Sequence, residues 1–429
     1  MMTHDSDNRT GFEQSRLAPE PADCLSISGY RIALVTTAAG LERYAVEWDR
    51  LAERAPHRVH TISHAWIASF YEHFVPSGAR SACILAFEGD TLVGVLPLVV
   101  SKKYSSFLAK VEVSPPANRQ TFATDLVCRE EDANGIIDAM IRGLDRFLPG
   151  AWELSFPHAS ERSQVVRRFR ERSGRVLSFS EIDGYGNFVP IAGSFDRYLG
   201  SLRPEFVRNL RRLSRKAEGL PNYRVDFADR DDADGTRATR FFELEASGWK
   251  GRGGTAILCD PNEQAFYRAY TRRLEARGWL RWHEVHAEDK LIASHMAAKV
   301  GRVLYLWKIA YDESYRAFAP GNVLMLETIK RAFDLGDTDE VNCLTDSSWN
   351  RDWNMDRRAY LHVMVWPRRP LPFLAGYSRV KTKVLLRRVP FAKRCYHALR
   401  WRLSSPSTRK AGGRRVGRTV PPARARSSP

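Results

Sequence analysis

The segment from Val303 into the following helix has the order of elements that a phosphate site needs. A run of β-branched and aromatic residues, Val303–Ala310, predicts a strand, and a helix is predicted to begin directly after Pro320-Gly321. Glycine lets a ligand approach the backbone closely, and the first N–H groups of a helix lack intrahelical partners and carry the positive end of its dipole. The segment therefore predicts a phosphate site, although an ordinary strand-to-helix turn explains this segment alone equally well.

Side chains around this turn extend the hypothesis. Arg316 precedes the predicted helix and can pair with phosphate, while Gly321 and Asn322 offer N–H groups. A surface arginine is the alternative interpretation of Arg316. Lys308 and Tyr311 lie at the end of the predicted strand, beside the loop.

A second candidate group follows the pattern E-x-x-x-W-K, formed by Glu245, Trp249 and Lys250. On a helix, Glu245 and Trp249 share a face, and an aromatic wall would raise the pKa of the carboxyl towards that of a useful base. A core tryptophan beside a solvated Glu–Lys pair explains the same pattern.

Three further polar residues are candidates. His295 lies in a predicted strand, where a structural histidine is the alternative. Asp346 and Arg351 form D-x-x-x-x-R and are interpreted either as a structural pair or as contacts to an acceptor. The sequence has no metal-ligand spacing, no G-x-S-x-G motif and no P-loop, so we expect no metal centre.

Composition sets the class of protein. A length of 429 residues is sufficient for two domains with buried cores, and the longest apolar run, 91–100, is too short to span a bilayer. The polar N-terminus has no signal peptide pattern, and the six cysteines are scattered, which predicts a reducing cytoplasm.

The net charge of +17 is concentrated at the C-terminus, since residues 367–429 contain 18 lysines and arginines and no acidic residue. Subtracting these 18 charges leaves −1 for residues 1–366. The basic character therefore belongs to a tail, and the body is close to neutral.

The two halves of the body share a local plan. Residues 84–100 and 281–300 each predict two strands around an acidic turn with D-x-L-[V/I]-[G/A], and helices precede and follow each hairpin. Residues 196–218 predict one long helix with an apolar stripe and a basic face. That face is interpreted as solvated, or as an anion-facing rim near a substrate or cofactor.

Ordered blocks between residues 30 and 366 resemble the GNAT superfamily, specifically the CelD/BcsL-type acetyltransferases related to the FemABX peptidyltransferases. These blocks include 195–218, 241–257, 265–285, 291–333 and 341–353. The resemblance implies an α/β fold of two tandem GNAT-like domains, each a mixed, mostly antiparallel sheet flanked by helices. The domains implied are 30–190 and 191–366, between a disordered segment, 1–29, and the tail, 367–429.

The same resemblance assigns roles. The segment from Arg316 to Gly321 resembles the R/Q-x-x-G-x-G/A pyrophosphate loop, with Ala319 in the middle glycine position. It implies an acetyl-CoA or other acyl-CoA donor held by the second domain only, with the first domain shaping the acceptor cleft. The candidate residues are Glu245, Tyr311, His295 and Asp346 for catalysis; Arg316, Ala319, Gly321, Asn322 and Lys308 for the donor; and Trp249, Lys250 and Arg351 for the acceptor.

The expected function is transfer of an acyl group, acetyl by family analogy, to an amine or hydroxyl of a small-molecule or glycan acceptor related to the cell envelope or polysaccharide. In this scheme Tyr311 donates a proton to the leaving thiolate. Two alternatives remain open: a FemABX-like transferase that uses aminoacyl-tRNA, and a non-catalytic, membrane-associated scaffold with the same fold.

Residues 376–405 mix aromatic and aliphatic residues with evenly spread lysines and arginines, which is typical of a segment on an anionic membrane surface. RNA binding and a plain solvated tail are the alternatives. The expected location is cytoplasmic, with peripheral attachment to the inner membrane face as a hypothesis.

Overall fold

The computed structural model describes residues 24–105, 108–148, 152–170 and 176–367. All of them belong to one compact unit, Met1–Phe373. Of the predicted N-terminal segment 1–29, residues 1–23 lie outside the described residues, as does the tail from 368 onwards, whereas Cys24–Ile27 form a strand.

The strands within these residues are β1 (Cys24–Ile27), β2 (Tyr30–Val35), β3 (Ala79–Glu88), β4 (Thr91–Ser105), β5 (Leu108–Ser114), β6 (Val127–Cys128), β7 (Trp152–Ser160), β8 (Val176–Pro190), β9 (Arg224–Ala228), β10 (Leu280–Ala287), β11 (Lys290–Val300), β12 (Val303–Tyr311), β13 (Glu340–Asn342) and β14 (Asp356–Pro367). The strand predicted at Val303–Ala310 is thus confirmed as β12.

The α-helices are α1 (Ala38–Leu41), α2 (Ala45–Arg54), α3 (His64–His73), α4 (Ala133–Phe147), α5 (Gln164–Arg170), α6 (Phe195–Ser201), α7 (Pro204–Glu218), α8 (Thr236–Ser247), α9 (Trp249–Arg252), α10 (Pro261–Ala276) and α11 (Pro320–Leu335). α10 begins as its sequence predicts, with Asp260 as N-cap and proline in the first turn.

One sheet runs through both halves in the order β1-β2-β3-β4-β5-β7-β14-β8-β13-β12-β11-β10-β9. In the first half β2 to β5 are antiparallel and β5 then pairs in parallel with β7. In the second half β9 to β12 are antiparallel and β12 pairs in parallel with β13. A helix, α4 or α11, precedes the parallel strand each time. The two halves therefore repeat one plan.

The two repeated hairpins also share a register shift at the same position. In β3–β4 the pair Ala86–Gly94 is followed by Phe87–Leu92, so one residue of β4 bulges out of register. In β10–β11 the pair Val285–Ala293 is followed by His286–Leu291, with the same shift at the same place. The short D-x-L repeat in the sequence marks a structural repeat.

The halves exchange strands at the centre of the sheet. β8 follows β7 in the chain but pairs with β13 and β14. β14, the last described strand, inserts between β7 and β8. The domain boundary predicted at 190/191 stays a prediction. Strand β8, which precedes it, is hydrogen-bonded to β13 and β14, which follow it.

Aromatic packing also joins the halves. The Trp66 ring of α3 lies 4.9 Å from Phe266 and 5.1 Å from Tyr270, both of α10. The Tyr270 hydroxyl lies 2.7 Å from Nδ1 of His60, a buried contact between the halves. These rings pack α3 against α10.

The single helix predicted over 196–218 is wrong. α6 ends at Ser201 and α7 begins at Pro204, because Arg203 adopts an extended conformation (φ −59°, ψ 130°). The residue before a proline is disfavoured in the helical region, so the chain breaks there although the apolar stripe continues.

Candidate functional site

A cleft opens where β12 and β13 separate. The two strands pair only from Val303–Glu340 to Tyr305–Asn342, whereas β12 continues to Tyr311. A register shift between β11 and β12 at Met296 places an extra residue, Trp307, in β12. The C-terminal part of β12 therefore has no hydrogen bonds to β13, and this edge of the strand has no strand partner among the described residues.

The cleft has a volume of about 400 Å³ and draws residues from both halves. The first half contributes Arg119, Gln120 and Phe122 from the loop after β5. The second half contributes Trp249, Lys308 and Trp349, among others. The aromatic walls and basic groups are suited to an organic molecule that carries polar substituents.

Glu245 anchors the base of this cleft. Lys250 donates to its Oε1 at 2.9 Å and Lys308 donates to the same oxygen at 3.2 Å. The N–H of Ile257 donates to Oε2 at 2.9 Å. The carboxylate, buried in α8, thus holds two ammonium groups in place.

The expected rise in the pKa of Glu245 is wrong. Burial raises that pKa, but the charges of Lys308 and Lys250 outweigh it, so the pKa lies below its ordinary value. Trp249 is 60 % exposed and forms no wall beside the carboxyl. Burial lowers the pKa of Lys308 although Glu245 acts in the opposite direction.

The predicted phosphate loop is the 3-10 turn Glu313–Phe318 followed by Ala319 and α11. Ala319 adopts the left-handed conformation (φ 45°, ψ 54°), and Pro320 occupies the first helical turn. Only glycine adopts this conformation without cost, so the position calls for glycine and the sequence supplies alanine.

The expectation that several N–H groups are free at this helix start needs correction. The N–H groups of Asn322 and Val323 both donate to the carbonyl of Ala319, at 2.9 and 3.1 Å. Pro320 has no N–H, which leaves Gly321 as the donor of the first turn without a partner among the described residues.

Basic and aromatic groups surround Gly321. Arg316 is exposed, and within the described chain it has no ion pair. The Tyr311 ring lies so close that a Cβ at Gly321 would be 3.7 Å from it. Lys216, from the basic face of α7, donates to the carbonyl of Ala317 at 3.3 Å. That basic face therefore reaches the loop at its C-terminal end.

The loop and the cleft are joined by the short helix α9. Glu313 accepts a hydrogen bond from the N–H of Trp249 at 2.8 Å and from Arg252 at 2.7 Å. Lys250 donates to the carbonyl of Ile309 at 2.9 Å. The predicted phosphate loop, the end of β12 and the cleft are thus neighbours.

Asp346 and Arg351 do not pair with each other. Asp346 accepts from Arg357 at 2.6 Å and from Asn187 at 3.2 Å. Arg351 is exposed in the 3-10 turn Ser348–Trp353 and has no ion pair within the described residues. The ion-pair partner of Asp346 comes instead from β14.

His295 lies away from the cleft, against α11. Its Nδ1 is 3.4 Å from the hydroxyl of Thr328, and burial lowers its pKa to about 3. Lys308 faces the opposite side of the sheet, above the Tyr267 ring at 5.0 Å. The structure therefore does not bring His295 together with the other candidates.

In the first half, the helix that corresponds to α11 is α4, and the charge at its start does not suit a phosphate. α4 is preceded by Glu130, Glu131 and Asp132. Acidic side chains at a helix N-terminus already satisfy its positive end and repel a phosphate.

One contact near the cleft, between Arg119 and Glu263, was not predicted from the sequence. The guanidinium of Arg119 donates from Nε to the nearly buried Glu263 at 3.0 Å and ties the first-half loop to α10. Glu263 lies in the first turn of α10. No local pattern links residues so far apart in the chain.

Across the residues that the structure describes, no group of three His, Cys, Asp or Glu side chains could hold a metal ion. None of the described helices has the length and apolar character needed to cross a bilayer.

Comparison with known proteins agrees with this geometry. Residues 204–348 match the family described as an acetyltransferase (GNAT) domain. These residues contain α8, β12, the phosphate loop and α11. No curated protein matches the chain by sequence.

Solved structures are similar to this chain over about three quarters of its length. A crystal structure of FemX is 11% identical, covers 74% of this chain and 95% of its own, and has a TM-score of 0.51. A conserved protein from Bacteroides thetaiotaomicron is 12% identical over 77% of this chain and 98% of its own (TM-score 0.45). A tandem GNAT protein from the clavulanic acid biosynthesis pathway is 14% identical over 77% and 98% (TM-score 0.36). The predicted α/β fold class is confirmed.

Proposed function

We propose that the chain is an acyltransferase that moves an acyl group from acyl-CoA to an amine or hydroxyl acceptor. The observation that carries the proposal is the unpaired end of β12, which leads directly into the left-handed turn and the helix start at Gly321. The loop supports a donor phosphate at one end of β12, and the cleft supports an acceptor beside it.

The residues around Gly321 fit the diphosphate of an acyl-CoA. The N–H of Gly321, the guanidinium of Arg316 and the ammonium of Lys216 converge on one loop. When bound, acyl-CoA supplies an activated thioester. In this proposal Ala319 shapes the loop, and the N–H of Asn322 donates to the carbonyl of Ala319, which leaves Gly321 as the backbone donor to the phosphate.

Each chain residue at the cleft has a proposed part in the transfer. The Tyr311 hydroxyl, on a side chain that is 41 % exposed beside the loop, is placed to donate a proton to the leaving group. Glu245 acts as a positioning residue for Lys250 and Lys308, because its oxygens are already occupied. Trp249 and Lys250 lie on the acceptor side.

A second candidate function is transfer from aminoacyl-tRNA. The basic face of α7 favours it, since Arg212 and Arg215 are exposed and Lys216 contacts the phosphate loop. Such a row of positive charge is able to bind a long polyanion as well as a CoA phosphate. An acceptor related to envelope or polysaccharide and a CelD/BcsL-type identity are part of the proposal through sequence resemblance alone.

Calorimetric titration with acetyl-CoA, followed by retention of charged tRNA on the same protein, separates these functions. Saturable binding of acetyl-CoA supports the acyl-CoA proposal. Retention of charged tRNA without acetyl-CoA binding favours the second function. If the protein binds neither, the non-catalytic scaffold is favoured and both transferase proposals are wrong.

A further inference from the structure

A second cleft lies on the other side of the sheet, between the C-terminal half of α11 and strands β9 to β12. Its volume is about 350 Å³. Its lining includes Phe227, Arg281, His283, Thr328 and Arg331. Arg331 follows Gly321 by about three turns of α11, roughly 15 Å along the helix axis, so this cleft is separate from the phosphate loop.

The floor of this cleft is a buried imidazole. His283 is 5 % exposed, and its Nδ1 lies 2.9 Å from the hydroxyl of Thr328. Its Nε2 has no hydrogen-bond partner within the described residues, although the ring lines the cleft. An unpartnered ring nitrogen on a buried side chain that lines a cavity is a natural contact for a ligand.

Two guanidinium groups, those of Arg281 and Arg331, line the cleft together with this imidazole. Neither Arg281 nor Arg331 forms an ion pair with any residue that the structure describes. The Arg331 guanidinium lies 4.6 Å from the centre of the Phe227 ring, and that ring lies 5.0 Å from His283. Arg281 donates to the carbonyls of Gly278 and Leu280, which hold it at the cleft.

The acidic residues of the cleft form their ion pairs with other residues, although their charges also act on Arg281. Asp337 pairs with Lys299 at 2.5 Å, and Asp229 is 3.8 Å from Arg230. Burial lowers the pKa of Arg281; the charges of Asp229 and Asp337 oppose this effect, and the charge of Arg331 adds to it.

We propose that this cleft binds a small organic anion, with a carboxylate or phosphate group held by Arg281 and Arg331 and a hydrogen bond to His283. Planar guanidinium groups match the oxygens of carboxylate and phosphate. The apolar side chains of Leu304, Ala332 and Leu335 on the same walls suit the carbon skeleton of such a ligand. The site is independent of the proposed acyl-CoA function.

The test follows the imidazole resonances of His283 by NMR in protein with 15N-labelled histidine, assigned through His283→Gln. The protein is titrated separately with inorganic phosphate and with acetate, which distinguishes the two headgroups. A saturable shift is expected with at least one anion. Arg331→Ala is expected to weaken that binding at least tenfold, and Arg331 makes no hydrogen bond within the described chain that the fold would lose.

Two matched variants control this experiment. Lys330→Ala removes a positive charge from the outer face of α11, where Lys330 pairs with Asp334 at 3.2 Å, and should leave the shift intact. Arg316→Ala removes a positive charge from the loop before α11, outside this cleft, and should also leave the shift intact. No shift, a response that never saturates as for an adventitious ion, or equal affinity in Arg331→Ala overturns the proposal.

Discussion

Ala319 is the residue at which sequence and backbone geometry disagree most clearly. The sequence resemblance puts glycine in this position, and the observed φ of 45° explains why. An alanine in the left-handed region costs about 1–2 kcal/mol. The loop conformation is therefore kept against local preference, which is typical of functional turns.

Replacing Ala319 with glycine should stabilise the protein. The strain relieved exceeds the extra chain entropy that glycine loses on folding, about 0.5–1 kcal/mol, so the net gain in unfolding free energy is about 0.5–1 kcal/mol. Urea denaturation measures it. Ala332→Gly, in the interior of the same helix, is the control and should cost about 1 kcal/mol. A loss of stability in Ala319→Gly would contradict the strained geometry.

Substituting Glu245 by glutamine should destabilise the fold by about 3 kcal/mol, because two lysines lose their shared buried counter-charge. The pKa of Glu245 is lowered from 4.5, so its contribution is present above pH 4.5 and is lost as the pH falls through the lower folded value. As the pH falls through this range, the free energy of unfolding measured by urea denaturation should decrease less in Glu245→Gln than in the wild type. Glu243→Gln, exposed on the same helix, should behave like the wild type; matching curves for the two variants would refute the role assigned to Glu245.

At the scale of elements, the C-terminal end of α7 is the part of the basic face that bears on the loop. Lys216→Gln should weaken acetyl-CoA binding about fivefold, the equivalent of about 1 kcal/mol, and less at high salt. Arg208→Gln, near the start of α7 and paired with Glu205, should have no effect. Calorimetry at two salt concentrations measures both; equal affinities would show that the basic face is only solvated.

Local signals in the sequence predicted the local elements well. The strand β12, the loop and the start of α11 follow from residue types over short windows, and D-x-L located both hairpins. The break before Pro204 was missed because the apolar stripe of α6 continues into α7. The proline itself carried the signal, since it restricts Arg203.

The parts of the site that could not be predicted depend on contacts between distant segments. Arg119 reaches Glu263 across the two halves, and Glu313 binds α9. The partner of Asp346 comes from β14. A single sequence holds no periodic pattern for such pairs, so spacing within one segment could not supply the partner of Asp346, and it gave the wrong pKa direction for Glu245.

At the scale of the whole molecule, the exchanged strands β8 and β14 make the two halves one sheet, and the cleft needs both halves. The first half supplies Arg119 and Phe122 to the cleft but has an acidic helix start where the second half has its phosphate loop. This division supports one donor site and an acceptor side built from both repeats.

The tail gives the whole chain its charge and is predicted to attach it to anionic membranes. Deleting residues 376–429 removes most of the 18 basic residues found after 366 and should abolish pelleting with anionic vesicles. Neutral vesicles are the control and should pellet neither protein. Unchanged pelleting of the truncated protein with anionic vesicles would rule out attachment through the tail.

The affinity of acetyl-CoA for Arg316→Ala, relative to the wild type, decides whether the loop at Gly321 is the donor site. Loss of a charged phosphate contact of about 1.5–3 kcal/mol predicts binding at least tenfold weaker. Arg302→Ala makes the same change at the other end of β12, where Arg302 pairs with Asp339, and should bind like the wild type. Equal affinity of Arg316→Ala and wild type, or no binding by either, would contradict a donor site at this loop.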